Sequence, residues 1–289
     1  MANFVVATDS GCDLPVTFTR EKGIEIIPLY YVLDGEEYED KMDGEGYAAF
    51  YDKMRGGAVP KTGQINQVRF EEFFLALREK YGGLPVVYIS LGGELSGTIC
   101  NARAAAEKLN GDKGVIYAID STQCSAGYGL LAVTAARLRD EGMSAKEAAE
   151  YIESNKSRLN ALCSTDDLSY LRRSGRCSLA AAVIGGIFKI CPVLTLDKKG
   201  ALGVRKRVRG YQNAVKEMFA LVRSTVENAA EQTLFISHSD AKERAEEFGE
   251  ALKKEEGFKD VFYAEIGTVI GSHCGPGVVA AFYYGKERV

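Results

Sequence analysis

Three short apolar runs in the first half of this chain stop in the same way, and helical patterns lie between them. Residues 4–8 (FVVAT) run into Asp9-Ser10, residues 86–90 (VVYIS) into Leu91-Gly92, and residues 115–119 into Asp120-Ser121-Thr122. Short runs rich in Val and Ile, bounded by turn residues, read as strands. Helical patterns at 45–54, at 67–80 and from about 97 separate them, and 127–140 and 144–158 follow. Strands separated by helices pair in parallel through right-handed crossovers. The ligand of such a sheet lies outside the carboxyl ends of its strands, so the three polar endings are expected to share one rim. Asp13-Leu14-Pro15 reads as a helix start with Asp as the cap. Residues 24–33 read as a further strand, with Asp34-Gly35 turning it into a small hairpin.

The second half has a different texture. Residues 190–197 and 201–209 read as two strands around the turn Lys198-Lys199-Gly200. A helix at 211–227, a strand at 233–238, a helix at 241–254, a strand at 260–267 and a last apolar strand at 277–284 complete the chain. At 289 residues the chain is long for one domain and comfortable for two. The expected fold is therefore α/β with two domains. Residues 1–158 form a mostly parallel sheet flanked by helices, with 60–80 placed at the domain interface, and residues 159–289 form an α+β domain.

Composition excludes several classes. A net charge of −4 gives no general footprint for nucleic acid. The seven Cys are scattered without a CxxC pair, which disfavours a disulfide framework or a zinc site and reads as a reduced, cytoplasmic chain. The start, MANFVVATDSGCDLP, lacks the basic region of a signal peptide. The most apolar segment, 179–196, is broken by Gly185-Gly186, Lys189 and Pro192 and falls short of the roughly 20 residues of a membrane span. GxxxxGK[ST], GxGxxG, HExxH and GxSxG are absent. Asp9 and Asp13 could ligate a metal in principle, but a turn and a helix cap account for them more simply.

Four stretches carry candidate chemistry. Leu95-Ser96-Gly97-Thr98 opens a helix, where unpaired N–H groups, a glycine and two hydroxyls suit an anion; locally, an ordinary N-cap is the favoured reading. Pro60-Lys61-Thr62-Gly63-Gln64 places a hydroxyl and an amide before another helix, and reads as a donor set or as a turn and cap. Gly271-Ser272-His273-Cys274-Gly275-Pro276-Gly277 reads as a glycine-dense loop holding one of the two His. His273 suits binding or a structural role; Cys274, its neighbour in an extended chain, is a poor partner for it in catalysis. Arg172, Arg173 and Arg176, with Arg205, Lys206, Arg207 and Arg209, form two basic clusters. They are a solvated face or, if they meet in space, a seat for phosphate or an acidic partner.

Taken together these motifs resemble the DegV family of bacterial fatty-acid-binding proteins. Thr8-Asp9-Ser10 with Asp13-Leu14 is similar to its TDSxxDL opening, Pro60 to Gln64 to its PxTSQ segment, and Leu95 to Thr98 to its LSGT. Leu168 to Arg176 resembles its LxxLxxGRIS region, Cys191-Pro192-Val193-Leu194 its KPIL, Arg209 to Ala214 its RTxxxA, and His273 to Gly277 its HxGPG. The resemblance implies a Rossmann-like N-terminal domain, an α+β second domain and one long-chain fatty acid in a tunnel between them, with no cofactor. It implies that Thr62, Ser96, the Gly97 amide and His273 hold the carboxylate. The acid would be presented to a separate ATP-dependent fatty acid kinase that forms the acyl-phosphate, with Arg172, Arg176 and Arg209 facing that kinase or the phosphate. For the tunnel wall, Ile184, Ile187, Phe188 and Ile190 supply apolar surface, with plain core packing as the alternative. The alternative function is an acyl hydrolase or phosphotransferase using Ser96, His273 or Cys274. Gly63 stands where the family has Ser, Ile65-Asn66 where it has Pro-Ser, and Cys191 where it has Lys.

Overall fold

The computed structural model describes residues 2–111, 115–177 and 190–289. In chain order, β1 is Val5–Asp9, α1 Val16–Glu21, β2 Ile24–Ile27, β3 Tyr30–Leu33, β4 Glu36–Glu39, α2 Tyr47–Arg55, β5 Lys61–Gly63, α3 Gln67–Lys80, β6 Val86–Ser90, α4 Thr98–Asn110, β7 Ile116–Asp120, α5 Ala126–Asp140 and α6 Ala145–Asn155. Then follow β8 Leu159–Ser164, α7 Ser169–Ser174, β9 Ile190–Leu196, β10 Leu202–Arg209, α8 Tyr211–Thr225, β11 Thr233–His238, α9 Lys242–Glu256, β12 Asp260–Glu265, α10 Thr268–Cys274 and β13 Val279–Tyr284.

The first sheet is wholly parallel in the order β2-β1-β6-β7. Its two central strands are buried along their whole length, as expected where helices cover both faces. Period-two alternation divides the residues between those faces. Val5, Ala7, Val86 and Tyr88 pack with Phe70, Phe74 and Leu77 of α3 and with Ile99, Ala102 and Ala105 of α4. Val6, Val87 and Ile89 pack with α5 and α6. Helix α3 starts where Asn66 accepts from the Arg69 amide at 3.0 Å, and α6 opens on a Ser144–Glu147 capping box.

The second sheet takes its strands only from residues after 158, in the order β10-β9-β8-β13-β11-β12, antiparallel except for β11 beside β12. One face carries α8 and α9 through Met218, Val222, Phe248 and Leu252. The other face joins the first core through Ala161, Phe235, Ala280 and Phe282. Helix α5 lies between the two sheets, which explains its sequence: AGYGLLAVTAARL is apolar nearly all round because it is buried nearly all round. A Cβ on Gly127 would come within 2.7 Å of the Phe282 ring, so close packing there requires glycine.

The structure differs from the sequence expectation at several places. Residues 24–33 are two strands, because Pro28 cannot donate to a ladder and the Leu29 amide turns aside to Ser10 Oγ at 3.0 Å. β3 then joins a third, antiparallel sheet in the order β4-β3-β5, which contains the expected hairpin and a short strand, β5, that the sequence did not suggest. The 144–158 helix ends at Asn155 and passes into a 3-10 turn. Asp13 does not cap α1, whose N-cap is Pro15; it sits at φ 54 and directs its carboxyl elsewhere. Gly271 to Cys274 belong to α10, not to a loop.

Among the described residues, no helix is long and apolar enough to cross a membrane.

Candidate functional site

The carboxyl ends of β1, β6 and β7 do share one rim, and the loops leaving them are tied together. Asp120 Oδ1 accepts from the Gly93 and Thr122 amides at 3.0 and 2.9 Å, and Gly92 donates to Gln123 O at 2.8 Å. A Cβ on Gly92 would sit 3.0 Å from the Gln123 backbone and one on Gly93 2.6 Å from Asp120 Oδ2. The glycine pair therefore lets the β6 and β7 loops close against each other.

Beyond this rim lies a cavity of about 1090 Å³, its open mouth included. Its wall is mostly apolar: Leu29 after β2, Leu91 and Leu95 after β6, Leu171 of α7, Leu194 of β9, Val269 and Ile270 of α10, and Phe282 of β13. Three thiols, Cys124, Cys163 and Cys274, also line it. Burial pushes all three above the usual thiol range, Cys124 to about 12, so they face the cavity as neutral groups.

Polar groups gather at the mouth. Thr62 Oγ1 lies 2.8 Å from His273 Nε2, bringing β5 and α10 together across 211 positions. Burial lowers the His273 pKa to about 4, and the nearby Arg176 charge adds to the effect. The imidazole is thus neutral near pH 7, with Nδ1 buried and unbonded. In the tautomer with the proton on Nε2 the ring donates to Thr62 Oγ1 and the Thr62 hydroxyl proton is free for another acceptor; in the other, Thr62 donates to Nε2. Ser96 Oγ contacts Thr98 Oγ1 at 2.9 Å and accepts from the Thr98 amide at 3.3 Å, which keeps it at the start of α4. Gly97 is the N-cap of that helix. A Cβ there would meet the Gln64 side-chain amide at 2.8 Å.

Thr62, Ser96 and His273 line the cavity; Gly97 is not among the described residues that line it, and packs against Gln64, which is. Arg176 lines the mouth as well and directs Nε toward Leu95 O at 3.5 Å. The other expected residues are elsewhere. Arg172 is exposed and Arg209 is exposed at the far end of β10. Cys177 bridges to Leu202, whereas Arg209 is seven residues further along that strand. At about 3.3 Å per residue this puts Arg209 roughly 23 Å along the strand from Leu202, at the end away from Cys177 and its neighbour Arg176. Ile190 pairs with Arg209, is half-buried, and is not among the described residues that line the cavity. Ile184, Ile187 and Phe188 lie outside the described residues.

Sequence reasoning passed over Cys124, Cys163 and Ser125, which stand in none of the motifs. Gln64 was legible as the amide of its motif, but its packing against Gly97 appears only when β5 is laid across the start of α4. With Cys274, the lining thiols are spread over 150 positions.

Ser96 makes no hydrogen bond to His273, whose Nε2 is engaged by Thr62, and the Cys274 thiol is held neutral by burial. In this arrangement neither Ser96 nor Cys274 is paired with the imidazole, and the Thr62 and Ser96 hydroxyls stand as polar groups at the mouth. No cluster of three metal-ligating side chains occurs among the described residues. Asp9, the earlier metal candidate, accepts instead from the Tyr88 and Tyr128 hydroxyls at 2.8 and 2.6 Å.

Fold and site together define an α/β protein with two main sheets, a small third sheet and a mostly apolar cavity whose mouth is lined by hydroxyls, an imidazole and an arginine. The chain belongs to the DegV family: the family model described as "Uncharacterised protein, DegV family" matches residues 3–286. A DegV domain-containing protein of Clostridium perfringens is 36% identical over 293 residues, covering 100% of this chain and 99% of the relative. A fatty-acid-binding DegV family protein from Thermus thermophilus is similar in structure, with a TM-score of 0.86 at 27% identity over 99% of this chain and 100% of that one. DegV of Bacillus subtilis, described as a fatty acid binding protein, gives 0.84 at 26% identity with the same coverage.

Proposed function

We propose that this protein binds one long-chain fatty acid, tail in the cavity and carboxylate at the mouth, and presents it to a separate ATP-dependent fatty acid kinase in the cytoplasm. The observation that carries the binding reading is the Thr62–His273 pair beside Ser96 and the start of α4, opening onto an apolar wall. A helix N-terminus offers free N–H groups and partial positive charge to a carboxylate. Thr62 supplies a hydroxyl proton, and Arg176 adds a full charge at the rim. Each buried methylene contributes about 0.8 kcal/mol, so a long chain supplies ample affinity and the mouth needs only a few donors. The similarity to DegV structures described as fatty-acid-binding supports the same ligand class.

A second basin supports the kinase reading. About 800 Å³ with the open solvent above it included, it adjoins the cavity, shares Thr62, Arg176 and His273 with it, and adds Lys61 and Arg173. It leaves room beside the carboxylate for the phosphoryl group of a donor held by another protein. In this reading the chain is non-catalytic alone and uses no cofactor.

Native mass spectrometry of protein purified without added lipid tests the binding step. A co-purified long-chain acid is expected; no bound acid and no loading of the stripped protein would overturn it. Adding ATP to the loaded protein should give no acyl-phosphate until a fatty acid kinase is supplied. The enzymatic alternative would show instead as turnover of an acyl ester or acyl-phosphate by the protein alone, lost in Ser96→Ala with lipid binding intact.

A further inference from the structure

Helix α10 brings Val269, Ile270, His273 and Cys274 to the cavity, yet at seven residues it is too short to be stable by itself. What fixes it comes from the first half of the chain. Asp13 Oδ1 accepts from the Gly267 amide, the N-cap of α10, at 2.9 Å. Asp40 faces the same residue: a Cβ on Gly267 would lie 3.2 Å from Asp13 Oδ1, 3.3 Å from Asp40 Oδ1 and 2.9 Å from the Tyr47 hydroxyl. The Tyr51 hydroxyl donates to Ile266 O at 2.6 Å, just ahead of the helix. The second Asp13 oxygen accepts from Ser125 Oγ at 2.5 Å, and Ser125 also lines the cavity.

This arrangement is costly as mere scaffolding. Asp9, Asp13 and Asp40 are all buried, and burial, with the Asp40 and Asp9 charges as lesser causes, pushes the Asp13 pKa well above the usual carboxylate range. Asp13 also holds a left-handed backbone at φ 54, which a non-glycine residue adopts at a penalty. What these features obtain is geometric. The carboxylates face the positive end of α10, and the opposite end carries His273. A shift at Gly267 would move the His273 ring away from Thr62.

We propose that Asp13 and Asp40 are positioning residues for the carboxylate seat, setting α10 so that His273 Nε2 meets Thr62 Oγ1. The inference rests on the fatty-acid reading and adds that head-group recognition is controlled from the far end of α10. The two residues touch no ligand; they act through the helix.

The experiment compares stripped full-length protein binding palmitic acid and 1-hexadecanol, which carry the same tail with and without the carboxylate. In Asp13→Ala, affinity for the acid should fall about tenfold or more, the weight of one hydrogen bond to a charged group, while affinity for the alcohol changes by less than about threefold. Asp13→Asn should restore the acid to within about threefold, because its Oδ1 still accepts from the Gly267 amide. Asp40→Ala should show a selective loss in the same direction. Equal losses for acid and alcohol, or no loss for the acid, would overturn the proposal. If Asp13→Ala does not fold, Gly267→Ala carries the test with the same outcomes, since its Cβ enters the Asp13–Asp40–Tyr47 contact. Failure of wild type to prefer the acid would instead refute the fatty-acid reading itself.

Discussion

Replacing His273 with Gln should change how stability responds to pH, in a direction fixed by the site. In the folded protein the His273 pKa is about 4, against 6.5 for the free side chain, because burial penalises the imidazolium and Arg176 repels it. The unfolded chain therefore takes up this proton first as pH falls. The His273 contribution is complete above about pH 6.5 and is lost as pH falls toward 4, by about 3 kcal/mol at 1.36 kcal/mol per pKa unit. Asp40 works in the opposite sense. Burial raises its pKa to about 6 from 3.8, against hydroxyl and backbone hydrogen bonds that lower it. The folded state keeps this proton longer, so the Asp40 contribution is complete below about pH 3.8 and is lost as pH rises to 6, again by about 3 kcal/mol. The two titrations oppose each other within one window and largely cancel in the wild type. Urea unfolding of lipid-free protein at pH 7 and pH 4.5 isolates each by difference, since other groups cancel between wild type and variant. His273→Gln should gain stability relative to wild type on acidification, and Asp40→Asn should lose it. A wild-type-to-variant difference that stays constant between the two pH values would refute the assignment of a neutral, buried His273.

Gly63→Ser should destabilise by about 1–3 kcal/mol, because a Cβ there lies 1.8 Å from Tyr30 Cζ; Tyr30→Ala should relieve most of the loss in thermal melts, and an unchanged melting temperature for Gly63→Ser alone would sink the argument. Loading with a long-chain acid should slow alkylation of Cys124, Cys163 and Cys274 by an uncharged maleimide and leave exposed Cys100 unaffected, as read by peptide mass spectrometry. Arg288→Ala should cost about 3 kcal/mol or more in urea unfolding, since the buried guanidinium donates to Thr122 O, Thr122 Oγ1, Asp197 O and Lys156 O and joins both sheets near the C-terminus.

Most of the fold was legible because its signals are local. The runs at 86–90 and 233–238 and the helix at 67–80 are bounded by turn chemistry and clear periodicity, and each appears at its expected residues. The break at Pro28 was visible in the sequence, but its consequence depends on the Leu29 amide meeting Ser10 Oγ, nineteen residues before it. Strand β5 has three residues and exists only because β3 offers it an edge. The assignment of His273 to a loop followed from its glycines; α10 starts where Asp13 accepts from the Gly267 amide and Tyr51 donates to Ile266 O, contacts made from more than 200 residues away. At the site, Thr62, Ser96 and His273 were found through motifs, and the structure brings them to one mouth. The basic clusters look alike in sequence, yet pairing along β10 places Arg176 and Arg209 at opposite ends. No local pattern could convey that separation.

The central claim is tested most directly by a crystal structure of the protein loaded with a long-chain fatty acid. The account predicts carboxylate oxygens within hydrogen-bond reach of Thr62 Oγ1 and of Ser96 or the Gly97 amide, with the tail running past Cys124 and Cys163. A reversed ligand, its carboxylate deep against those thiols and its methyl end at His273, would contradict it, as would an acid bound outside this cavity.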